Sequence, residues 1–165
     1  YVALYKSMYE AAEKLGKEDK RAARDLIGLR IDLLNVQWIY RALKYYKISP
    51  EEMFIYSLEG GSHFGYKELK NLCYSKSMDE FIKLIGGYLK YDIFNDLNDA
   101  EIDINSVIDS YMYNYLKNKH YHNIGTAISF IYLIDIVIND LTSIIEGIQY
   151  DVPREELKGY LSYKM

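Results

Sequence analysis

An all-α fold is what this sequence predicts, and three observations lead to it. Apolar residues recur at steps of three and four through most of the chain, the spacing that lines one face of a helix. Proline occurs twice and glycine ten times in 165 residues, which suits long helices better than a turn-rich sheet. Helix-start signals also stand before several of the apolar runs. The expected architecture is long helices packed lengthwise with short helices at their ends, a single helical body made of two pseudo-repeat copies, approximately 1–87 and 88–165.

The first helix is expected over Val2 to Leu15, with Leu4, Met8, Ala11, Ala12 and Leu15 on one face and Gly16 as its stop. Lys17 to Arg24 is charged and helix-compatible, and it leads without a break into a long helix ending near Lys47. Leu26, Leu29, Leu33, Val36, Ile39, Tyr40 and Leu43 form that helix's apolar face. Ser49-Pro50-Glu51-Glu52 restarts the chain: Ser as cap, Pro at the first helical position, and acids where the helix dipole favours them. A helix to about Leu58 follows, then a turn at Glu59 to Ser62.

Tyr66 to Tyr74 and Met78 to Ile85 read as two short helices, the second capped by Ser77 and closed by Gly86-Gly87. Tyr88 to Phe94 alternates too briefly to make a strand, and is expected to be irregular or the start of a helix. From Asp99 onward Ile102, Val107, Ile108, Met112, Tyr115 and Leu116 have helical period, ending at basic Lys117 to His120. Asn123 or Gly125 marks a corner. Ile131 to Tyr150 is apolar nearly all round, so it is expected to lie deeper in its core than the first long helix. Pro153-Arg154-Glu155-Glu156 then restarts a final short helix.

The two long helices share a plan. A shift of 139 − 35 = 104 residues brings Asn139 onto Asn35 and also Glu155-Glu156 onto Glu51-Glu52. Each copy is an apolar-periodic run with a central Asn, a stop, a Pro and two Glu, then Met53 or Leu157. Asp32, Asn35, Pro50, Glu51 and Glu52, with Asn139, Pro153, Glu155 and Glu156, are the motif positions of the duplicated unit. Asn35 and Asn139 are accordingly expected in like surroundings.

A chain that is 50% hydrophobic is folded, and its 24 acids against 20 bases show neither a nucleic-acid tail nor a basic membrane patch. A lone Cys73 excludes an internal disulfide and a cysteine metal knuckle, and fits the cytosol. The most apolar window, Ile124 to Ile138, contains Asp135 and falls short of the roughly 20 residues that span a bilayer, so no transmembrane helix is expected. The chain starts at Tyr1 with no leader, and is expected to be a piece of something longer.

Candidate sites are few. His120 and His122 are two apart, which on a helix points them to different sides, so a metal is not expected. His63 with Cys73 could be drawn as base and nucleophile, but no signature surrounds the cysteine, and a buried thiol behaves as a small hydrophobe. Gly60-Gly61 lacks the Lys-Ser/Thr of a phosphate loop. Asp96, Asp99, Glu101 and Asp103 do not match a calcium loop and read as a solvated helix start. Asp32 and Asn35, at i and i+3, share a face and can meet the same neighbour, a pairing read as structural.

The stretch IDLLNVQWIYRALKYYKISPEEM followed by SLEGG resembles the recurring pattern of the C subunit of the archaeal and bacterial V-type ATPase, related to the eukaryotic d subunit. Asp32, Asn35, Arg41, Lys44, Tyr45, Ser49, Pro50, Glu51, Glu52, Gly60 and Gly61 stand where that pattern asks. The C-terminal copy resembles a later repeat, from Tyr132-Leu133 through Asn139 to Pro153-Arg154-Glu155-Glu156-Leu157. It departs from the pattern at Ile136, where the acid belongs, and the first copy departs at Tyr46, where a glycine is common.

The resemblance implies a funnel-shaped helical subunit without catalytic residues or cofactor. It would join the central rotating shaft to the membrane ring of the same motor, on the cytoplasmic side, for ion transport coupled to ATP. Acidic Asp92 to Asp103 and mixed-charge Lys14 to Arg24 are the candidate contact surfaces. An unrelated helical-repeat scaffold is the alternative reading of the duplication.

Overall fold

The computed structural model describes residues 1–46, 48–89 and 104–162. Every regular element among them is helical, in the order α1 (Val2–Glu13), α2 (Lys17–Tyr45), α3 (Pro50–Tyr56), α4 (Tyr66–Cys73), α5 (Met78–Tyr88), α6 (Ile104–Lys117), α7 (Ile124–Gln149) and α8 (Arg154–Leu157), with a 3₁₀ turn at Lys158–Tyr160. The chain divides into two compact units, residues 1–95 and 96–165. Part of the Tyr88 to Phe94 expectation and the acids from Asp92 to Asp103 lie outside the described residues.

Unit 1 is built around α2. Its 29 residues bury Leu26, Leu29, Leu33, Val36 and Ile39 against α1, α4 and α5, so the periodic face does what its spacing requires. The charged start from Lys17 joins this helix without a break. Gly16 is the N-cap of α2; α1 itself ends three residues earlier, at Glu13. Gly86-Gly87 does not close α5 either. That helix runs through both glycines to Tyr88, because Phe81, Ile85 and the following Leu89 are buried, and their packing outweighs the weak helix propensity of glycine.

Unit 2 follows a similar order: α7 packs on α6 and α8, and the 3₁₀ turn packs on α6. Adding 104 to the ends of α1, α2 and α3 gives 117, 149 and 160, the last residues of α6, α7 and the 3₁₀ turn. Depth is where expectation fails. α7 buries only Gly125, Ile136 and Gly147, against fifteen residues of α2, so it is the shallower of the two long helices. Apolar composition creates a demand for burial, but a covering layer has to meet it, and the layer that α4 and α5 lay on α2 has no counterpart among the described elements of unit 2. The helix also overruns the Ile124 to Ile138 window by eleven residues. At 26 residues it is long and apolar enough to cross a membrane, by length and composition only.

Candidate functional site

The densest polar construction in unit 1 ties the loop after α3 to the middle of α2. Asp32 is fully buried. Its Oδ2 accepts the backbone N–H groups of Ser62 (2.9 Å) and His63 (2.7 Å), and its Oδ1 that of Phe64 (3.2 Å). The His63 ring reaches the same carboxylate, Nδ1 to Oδ2, at 3.1 Å. One turn along α2, Asn35 donates from Nδ2 to the Leu58 carbonyl and accepts the Leu58 N–H on Oδ1, each at 2.8 Å. A side-chain amide offers one donor and one acceptor side by side, which matches one peptide unit on both of its polar atoms. Asp32 and Asn35 do share a neighbour, and it is backbone.

The two glycines of the loop are there for geometry. Gly60 has φ +96°, and the Tyr9 hydroxyl on α1 donates to its carbonyl. A β-carbon on Gly61 would lie 1.8 Å from Asp32 Oδ1, so the carboxylate occupies the place a side chain would need. The loop is therefore held from α1 and α2 by side chains bonded chiefly to its backbone, with the His63 ring as a further partner of Asp32. This is an anchor for the loop backbone.

Downstream, Ser49 and Glu52 close a reciprocal capping box on α3. Glu52 N–H donates to Ser49 Oγ (3.3 Å), and Ser49 N–H donates to Glu52 Oε2 (3.1 Å), with Pro50 opening the helix. The Ser49 N–H holds the Glu52 carboxyl below its ordinary pKa. Glu51 accepts the Tyr74 hydroxyl at 2.9 Å, and that bond raises the phenol's pKa. Sequence spacing gave no sign of this link, because its partners lie 23 residues apart, one on α3 and the other just past the end of α4.

In unit 2 the corresponding positions are wired differently. Leu58 shifted by 104 is Ser162, and the Ser162 backbone is again tied at both atoms: its N–H donates to Asp140 Oδ1 (2.9 Å) and its carbonyl accepts Ser110 Oγ (2.6 Å). Asn139 takes no part. Its Nδ2 donates to Asp109 of α6 at 3.0 Å, so Asn35 and Asn139 sit in unlike surroundings, contrary to expectation. Ile136, standing where the acid would be, is buried. Pro153 occupies the position of Ser49 and can offer no side-chain cap, and Glu155 and Glu156 accept from Lys158 (2.9 Å) and Tyr160 (3.5 Å) on the surface.

The remaining candidates do not converge on chemistry. Cys73 is buried beside the Ser57 hydroxyl (3.7 Å), and burial pushes its thiol pKa up, away from a reactive thiolate. His63 is engaged with Asp32 instead. His120 and His122 are exposed in the α6–α7 connection, and no group of three His, Cys, Asp or Glu able to hold a metal occurs among the described residues. From the mixed-charge segment Lys14 to Arg24, Lys20 (3.1 Å) and Arg24 (2.6 Å) pair with Glu13 at the end of α1, and their hydrogen bonds lower its pKa.

A family model described as ATP synthase (C/AC39) subunit matches residues 1–160. The chain belongs to this family. No curated protein and no solved structure matches it individually. For a C/AC39 chain, the Asp32–Asn35 anchor falls within the stretch that carries the resemblance to the V-type ATPase, and its chemistry is that of holding one segment of backbone in place.

Proposed function

We propose that this C/AC39 chain is a non-catalytic central-stalk subunit of a rotary ATPase, passing torque between the rotating shaft and the membrane ring. The observation that carries the reading is the anchor itself. Five hydrogen bonds from Asp32 and Asn35 fix the 58–64 loop to the centre of a 29-residue helix. A part that transmits force needs stiffness, which close packing and satisfied buried polar groups supply. Asn35, Glu51 and Glu52 read with Asn139, Glu155 and Glu156 at the 104-residue shift as marks of a duplicated unit in which Ile136 stands in place of Asp32 and Pro153 lies one position before the match of Pro50. The matching helix ends support that duplication.

The subunit would act at the cytoplasmic face as a peripheral part of the complex, in contact with shaft subunits and ring. Asp135, Asp140 and Glu146 along α7 favour a peripheral place over a bilayer-spanning one, since an acid at the centre of a spanning helix costs roughly 2.5–3.5 kcal/mol on insertion scales. The test is reconstitution of the ATPase in vesicles with and without the full-length protein. With it, ATP hydrolysis drives ion uptake; without it, hydrolysis continues and uptake stops. Unchanged uptake in its absence, or failure to co-purify with any shaft subunit, overturns the reading.

A further inference from the structure

We draw no further inference here: the strongest candidate, the exposed apolar face of α7 in unit 2 that carries Phe130, Ile131, Val137, Ile138 and Leu141, carries nothing because no feature of the structure shows what covers it.

Discussion

Units 1 and 2 tie down backbone at two positions 104 residues apart, Leu58 and Ser162, by different chemistry. In unit 1 both polar atoms of Leu58 go to the single amide of Asn35, and Asp32 gathers three further N–H groups close by. In unit 2 both polar atoms of Ser162 are again satisfied, but by Asp140 of α7 and Ser110 of α6, two side chains on two helices. The lesson is that the requirement belongs to the backbone. A segment crossing a helix needs its peptide groups paired, and which residue meets that need can move by one position or to a neighbouring helix.

The largest expected contrast is Asp32→Leu against Asp140→Leu. The first strands three amide N–H groups against a buried position and should cost roughly 3–5 kcal/mol, while the second removes one bond and should cost about 1 kcal/mol. Denaturant unfolding measures both. Trp38, the single tryptophan, lies on α2 and makes fluorescence a reporter of unit 1. Equal losses from the two variants would erase the contrast. Next comes Gly61→Ala against Gly159→Ala. The added methyl meets Asp32 Oδ1 at 1.8 Å in one case and nothing within 4 Å in the other. Losses of about 2–4 kcal/mol and under about 0.5 kcal/mol are expected on the same unfolding curves.

The caps give a smaller effect that sharpens the comparison. Ser49→Ala should lose about 1 kcal/mol, and Pro153→Ser should gain up to about that much by allowing a side-chain cap on α8, read as helicity by circular dichroism. Smallest is a pH effect on α3. Glu52 has a lowered pKa in the fold, so its contribution is present above the ordinary value of 4.5 and is lost as the pH falls from there through the folded value. Ser49→Ala should flatten that acid dependence in a titration of stability, and an unchanged slope would detach the shift from the cap.

Much of the fold was legible because it is local. The spacing of Leu26, Leu29, Leu33 and Val36, the Ser49-Pro50-Glu51-Glu52 start and the Ser77 cap each act within a turn or two of helix, and each stands as read. The i, i+3 placement of Asp32 and Asn35 also said correctly that they could meet one neighbour. What it did not reveal was that the neighbour is the 58–64 backbone, 23 to 32 residues away, since a face has direction but no address. Matching Asn139 to Asn35 by letter went astray for the same reason: Asp140, one position along, faces the returning chain.

By itself, the sequence determined the helices, their starts and the family, because periodicity, capping and motif order are properties of neighbours along the chain. Tertiary structure alone decided that Asp32 became an anchor, that Glu51 found Tyr74, and that α7, the more apolar long helix, is the less buried. Burial depends on which elements arrive to cover a face. The apolar pattern states only that the face would gain from being covered.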